Sequence, residues 1–312
     1  MRLVSHAAPR SYKLLGVMLL MVVLTLAGCG GGGSGSAGNN NANIKITVGS
    51  KNDPDGQLLA QMYSLLLTKA GYSVTTKLAL GQNKVLDTAI KSGSIDIYPE
   101  FTGTALSVNN LPATQDPHQA FNEVKQYYEQ TFKITWLDAA FNLNDSYGLC
   151  TNQQIATQHN LKSMSDLVPV ASQLVLAGQQ DFLDAQSGVF PPVATAYGIN
   201  FKDTVQISEQ LGFDAVNKGD AQINECYTTD PAIVVDNFVL LTDDKSAFPA
   251  YNPSPIVRDQ LLQKAPGIAA ILNALAPKLT TASQTALIKQ VTVDHKNIKE
   301  VAQTWLQQQG LL

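Results

Sequence analysis

From residue 44 onward, short apolar runs alternate with longer segments whose apolar residues recur every three or four positions. Ile44-Lys45-Ile46-Thr47-Val48 has the two-residue period of a half-buried strand, and Leu58, Leu59, Met62, Leu65 and Leu66 follow at helical spacing until Gly71. A second strand is predicted over 74–80, a second helix over 85–90 and a third strand over 95–98. A polar-faced helix over 119–132 and a strand over 134–137 come next. A second series opens near Tyr147 with Gly148-Leu149-Cys150 and continues through 174–176, 205–208 and 221–226. After apolar runs at 238–241 and 256–258, helices over 267–279, 283–291 and 298–308 end the chain. Such alternation predicts mainly parallel sheets with helices on both faces. The two series predict two α/β lobes, one inserted into the other. The first holds 44–143 and 236–312 and the second 144–235, with the chain crossing between them near 142–146 and 228–236. About 270 folded residues suit two lobes better than one. A ligand in such an architecture sits in the cleft between lobes and is buried when the hinge closes.

The first 43 residues read differently. Arg2, Arg10 and Lys13 precede an almost wholly apolar run over 14–26, too short to span a bilayer comfortably and followed by small residues. Residues 1–28 are therefore expected to be a signal peptide. Residues 29–43 (CGGGGSGSAGNNNAN) cannot bury a core and predict a flexible tether with a reach of about 20 Å. Of the 21 Lys and Arg, the three in the leader leave with it; the remaining 18 face 25 Asp and Glu, a net charge of −7. That mildly acidic balance argues against a nucleic-acid partner. No second apolar run approaches membrane-spanning length, so no fused permease is expected. In an exported chain Cys150 and Cys226 are free to form a disulfide, and two buried thiols are the equal alternative.

The candidate chemistry centres on 94–106, SIDIYPEFTGTAL. Pro99 and Gly103 are expected to break the strand at 95–98 into a tight loop. Tyr98, Phe101, Thr102 and Thr104 would then stand at a strand's end, where open α/β sheets hold ligands. The loop has rings and hydroxyls but no acid/base pair, metal cluster or phosphate cradle. His118, His159 and His295 are scattered, without metal-ligand spacing or a nucleophile–base arrangement. An enzyme, a metal site and a cofactor are therefore not expected.

The segment resembles the YPEYTGT signature of substrate-binding proteins of ABC importers for quaternary ammonium compatible solutes, the glycine betaine, carnitine and choline family. Four more segments are similar to the family's in order: Gly49-Ser50-Lys51-Asn52, Asn144-Asp145-Ser146-Tyr147, Cys226-Tyr227-Thr228-Thr229-Asp230 and Phe248-Pro249-Ala250-Tyr251. Leu26-Ala27-Gly28-Cys29 is similar to the bacterial lipobox, which implies lipidation of Cys29 and an anchor on the extracytoplasmic face of the membrane. The resemblance implies a two-lobed periplasmic-binding-protein-like (type II) fold with two hinge crossings. It also implies a membrane permease as partner, a monomeric receptor and an aromatic cage of Phe101, Tyr147, Tyr227 and Tyr251. A trimethylammonium group has no N–H to donate, whereas each ring face attracts it by about 0.5–1 kcal/mol when exposed and 2 or more when desolvated. Lys51 and Thr104 are the implied donors to a ligand carboxylate. Asp145 is the implied orienting group for the cation. Tyr98 is expected behind the cage, and Tyr63 and Tyr72 in the core. Three positions depart from the family pattern: Gly56 stands where Gln is frequent, Phe101 where Tyr is usual, and Ala185 where an arginine can clamp a carboxylate. The last raises choline or another alcohol against a betaine. An amino acid or polyamine on the same scaffold is the alternative ligand class; either would donate N–H bonds and call for acidic partners instead of a ring box.

Overall fold

The computed structural model describes residues 40–186 and 188–312. The expected leader, most of the tether and Cys29 lie outside the described residues. Among the described residues, ten strands form two five-stranded sheets. The first sheet has the order β2-β1-β3-β10-β4, with β1 at Lys45–Gly49, β2 at Ser73–Lys77, β3 at Ile97–Phe101, β4 at Ile134–Trp136 and β10 at Pro253–Arg258. The second has the order β7-β6-β8-β5-β9, with β5 at Tyr147–Asn152, β6 at Val175–Gly178, β7 at Asp203–Gln206, β8 at Ile223–Tyr227 and β9 at Phe238–Leu240.

Both sheets are mixed where mainly parallel ones were expected. In the first, β2, β1 and β3 are parallel, but β10 runs antiparallel to β3 and β4. In the second, β7, β6 and β8 are parallel, but β5 runs antiparallel to β8 and β9. The reversed strands, β5 and β10, are those that follow a passage from one sheet to the other. A strand arriving from outside the sheet needs no crossover helix, so nothing forces it to be parallel.

Helix α1, Pro54–Lys69, starts with Asp53 as its cap: Oδ1 accepts from the Gly56 amide at 2.6 Å, and Pro54 takes the first helical position. Its Leu58, Leu59, Met62 and Leu66 are buried with Tyr63 and Tyr72 against Ile46, Val48 and Ile97. Helix α2 is Asn83–Ser92. Helix α3, Thr102–Val108, follows β3 directly. Helix α4, Pro117–Phe132, is capped by Asp116, whose carboxylate accepts from the His118 and Gln119 amides. It packs Val124 and Tyr128 on the opposite face of the first sheet, against Tyr98, Trp136 and Ile256. Adjacent residues Ile97 and Tyr98 thus serve the two faces, as a strand's alternation requires.

Four expectations change. Strand β3 runs through Pro99 to Phe101, where a break into a loop was expected. Pro99 lies opposite Pro255, and β1 reaches β3 only at Val48 and Ile97, so no ladder partner awaits the missing N–H. Strand β10 likewise begins three residues before 256, through its own prolines. The helix expected over 267–279 stops at Asn273, and Pro277 sits in a short 3₁₀ turn. Finally β9, expected in the first lobe, pairs with β5 in the second sheet, so the return passage falls between Leu240 and Pro253.

Candidate functional site

The sheet registers decide which side chains meet. In the second sheet Tyr147 of β5 lies directly opposite Tyr227 of β8, with ring centroids 4.7 Å apart. In the first sheet Phe101 lies opposite Pro253, and Tyr251, two residues ahead of that strand, lines the same cavity as Phe101. Tyr147 then meets Tyr251 edge-on at 5.1 Å and stacks on Phe182 at 5.4 Å. Each sheet therefore contributes two of the four expected rings.

All seven expected ligand contacts, Lys51, Phe101, Thr104, Asp145, Tyr147, Tyr227 and Tyr251, line one cavity. Its volume is about 30 Å³. A water needs roughly 10–15 Å³ of such space, so the rings as placed admit a water or two and nothing the size of a trimethylammonium group. Beside it lies a polar groove of about 580 Å³ with walls that include Asp53, Gln82, Gln179 and Asp181. Gln82 Nε2 donates to Gln179 Oε1 at 3.0 Å, a hydrogen bond from the start of α2 to the end of β6 that spans the two sheets' territories.

The loop carrying Tyr251 is held by Thr102, whose hydroxyl donates to the Ala250 carbonyl at 2.8 Å and accepts from the Asn252 amide at 3.1 Å. Thr102 is thus scaffold, whereas Thr104, two residues on, lines the cavity. Between them, Gly103 lies under the Tyr251 ring, and a Cβ there would stand 2.6 Å from its Cε1. Asn144 Oδ1 accepts from the Tyr251 amide, and the Asp145 amide donates to the Tyr251 carbonyl. The Tyr251 hydroxyl itself is buried with no hydrogen-bond partner.

Lys51 is not available as a simple donor. Its ammonium sits 2.8 Å from Glu100 Oε1, both side chains being buried, and 5.0 Å from the Phe101 ring centroid. Tyr98 donates to the other Glu100 oxygen at 2.6 Å, which places Tyr98 behind the site. One Phe101 face is therefore turned to a cation of the protein.

The remaining charge is acidic. Asp55 and Asp145 line the cavity, and Asp230 follows β8. The Thr229 hydroxyl donates to Asp145, Gln284 Nε2 donates to Asp55 at 2.9 Å, and the Tyr227 amide donates to Asp230 at 2.7 Å. Burial, ahead of the neighbouring carboxylates, pushes Asp55 well above its ordinary range and raises Asp145 and Asp230 to about 7. Burial also raises Glu225 to about 8, although the Gln179 amide donates to it.

Phe182, Gln82, Gln179, Asp55, Glu100 and Glu225 were not singled out by sequence. Phe182 lies in the segment 181–185 that ends in Ala185, and its ring carried a signal that the missing arginine overshadowed. The buried acids carried none, because a carboxylate's burial depends on partners distant in the chain. Cys150 and Cys226, both fully buried, are joined by a disulfide that ties β5 to β8 behind the tyrosine pair. Among the described residues no group of three or more His, Cys, Asp or Glu is placed to hold a metal ion.

Residues 44–308 match the family model described as the substrate binding domain of ABC-type glycine betaine transport systems. The chain is 29% identical to the glycine betaine-binding protein YehZ of Escherichia coli over 85% of this chain and 90% of that one. It is 28% identical to the carnitine transport binding protein OpuCC of Listeria monocytogenes, over 84% of this chain and 86% of that one. In fold it is similar to a crystal structure of a glycine betaine/carnitine/choline ABC transporter protein. The TM-score is 0.70 at 22% identity, covering 85% of this chain and 99% of that one.

Proposed function

The chain belongs to the family of substrate-binding domains of ABC-type glycine betaine transport systems, and from that premise we propose that it captures a quaternary ammonium osmolyte and hands it to a membrane permease. The ligand is glycine betaine, choline or carnitine, held by Phe101, Tyr147, Tyr227 and Tyr251. The observation that carries this reading is the convergence of rings from two separate sheets on one cavity. Four faces at about 2 kcal/mol each, once desolvated, supply most of the roughly 8 kcal/mol that micromolar affinity requires. Phe182 adds a fifth ring behind Tyr147.

The cavity is too small for the ligand as the rings stand, so capture begins with the two lobes apart. The first lobe comprises 44–143 and the C-terminal part of the chain. The second comprises 144–235 with β9 added, which is hydrogen bonded to it. The chain passes between the lobes at 143–146 and again between Leu240 and Pro253, and these two passages form the hinge. The first is braced by bonds from the Thr228 amide to the Ser146 carbonyl and from Thr229 to Asp145. Signal peptide 1–28, lipidation at Cys29 and tether 29–43 would keep a monomeric receptor on the extracytoplasmic face, near its permease. No catalytic, cofactor or nucleic-acid role is assigned. No helix among the described residues is long and apolar enough to cross a membrane.

Calorimetric titration with choline, glycine betaine, carnitine and spermidine, repeated on Tyr147→Ala, tests the reading. Micromolar-range binding of at least one methylated ammonium is expected, weakened at least a hundredfold in the variant. Binding of spermidine alone would remove the ring cage from consideration.

A further inference from the structure

We infer that the site selects ligands of net positive charge, and that the ligand's cation takes the place of a proton shared among the buried carboxyl groups behind the cage. This rests on the receptor reading above and narrows it.

The argument begins with the charges lining the cavity. Lys51 is its one basic side chain, and Glu100 cancels it at 2.8 Å. Asp53, Asp55, Asp145 and Asp181 remain. Arg258, the sole arginine after residue 10, lies at the far end of β10 and is bound to Asp96. No guanidinium can clamp a ligand carboxylate here, and a lone ammonium already bound to a buried carboxylate is a poor substitute.

The acids come from separate segments. Asp55 is on the first turn of α1, Asp145 on the first crossing and Asp230 just after β8; they are 6%, 6% and 9% exposed. Asp145 is faced by Asp53, Asp230 and Lys51, and Asp55 by Asp145, Asp53 and Gln284. Asp230 is faced by Asp55 and Glu225. Buried carboxyls that act on one another, with the cavity's single ammonium already bound to Glu100, cannot all ionise without a further cation among them. One further group points to a missing partner. The Tyr251 hydroxyl, on a residue 1% exposed in the cavity wall, has no hydrogen-bond partner.

A quaternary ammonium entering the cage supplies the absent charge. One carboxylic acid then becomes a carboxylate, its proton leaves for solvent, and the ligand cation stays as counter-ion. A hydroxyl on that ligand would also satisfy Tyr251. A zwitterion brings its own carboxylate into the same acidic surroundings and gains nothing from deprotonating them.

The sign follows from the protonation range of the cluster. Asp145 at about 7 is ionised to roughly a tenth at pH 6 and nine-tenths at pH 8, so the apparent affinity for a cation rises roughly tenfold over that range. Calorimetric titration of the full chain with choline at pH 6, 7 and 8, each in phosphate and in Tris, reads both quantities at once. The expected result is a roughly tenfold fall in Kd from pH 6 to pH 8 and release of a substantial fraction of a proton at pH 7. Glycine betaine is expected to bind at least tenfold more weakly than choline at pH 8. Asp145→Asn should flatten the pH dependence and reduce proton release. Choline binding that is independent of both pH and buffer would overturn the inference, as would equal affinity for glycine betaine at pH 8. The wild-type buffer comparison decides this even where the variant does not fold. Failure of every methylated ammonium to bind at any pH would instead overturn the receptor reading beneath it.

Discussion

Gly103 is a glycine because Tyr251 lies against it, and the cage geometry depends on that contact. Gly103→Ala forces the ring off α3; choline or betaine affinity should fall about tenfold in titration, from loss of roughly one ring's cation–π contact. Glu225 gives a different residue-scale prediction. Its carboxyl titrates at about 8 when folded because burial disfavours the charge, against about 4.3 in an unfolded chain. Between those values the folded chain holds a proton that the unfolded chain has lost. Stability contributed by the protonated form is therefore complete below about pH 4 and lost as pH rises towards 8. The melting temperature should drop by ~5 °C or more from pH 5 to pH 8, and Glu225→Gln should make that drop shallower. That the seven proposed ligand contacts would share one cavity was legible because rings and motif residues announce themselves one at a time. Glu225 and Glu100 were not, since nothing in INECY or IYPEF reveals that a carboxylate there will find Gln179 or Lys51.

At the scale of elements, periodicity located the strands of both sheets, and both ends of the last helix to the residue, but it placed none of the second sheet's helices, such as Gln153–His159, Phe190–Tyr197 and Glu209–Lys218. It misjudged direction and punctuation. Antiparallel β5 and β10 look like any other buried strand, because pairing direction is set by where the chain comes from. Pro99 reads as a breaker until its partner strand proves to carry Pro255 opposite it. The disulfide between β5 and β8 closes a separation of 76 residues across the centre of the second sheet. Replacing both Cys150 and Cys226 by Ala should lower unfolding stability by about 2–4 kcal/mol in denaturant titration. The bond from Gln82 to Gln179 is the complementary case, local and reversible. Gln82→Ala should speed ligand release about two- to tenfold in stopped-flow experiments, in line with the ~0.5–1.5 kcal/mol of one hydrogen bond, and leave thermal stability nearly unchanged.

For the whole molecule, the small cavity and the Gln82–Gln179 bond describe lobes drawn together, so ligand admission requires them to part about 143–146 and the passage between Leu240 and Pro253. Small-angle scattering should show the radius of gyration falling when a binding ammonium is added, and no change with spermidine if spermidine does not bind. That two sheets form, one built from strands lying between β4 and β10 in the chain, was readable from the two series of elements. Where the chain returns was not, because β9 is three residues long and only its pairing with β5 tells which sheet owns it. That each sheet carries half of the ring box has a consequence for how such receptors diversify. A recombination that exchanged the inserted segment alone would pair an old half-box with a new one. Ligand preference would then shift in a single genetic event, while Phe101 and Tyr251 kept their places in the first lobe.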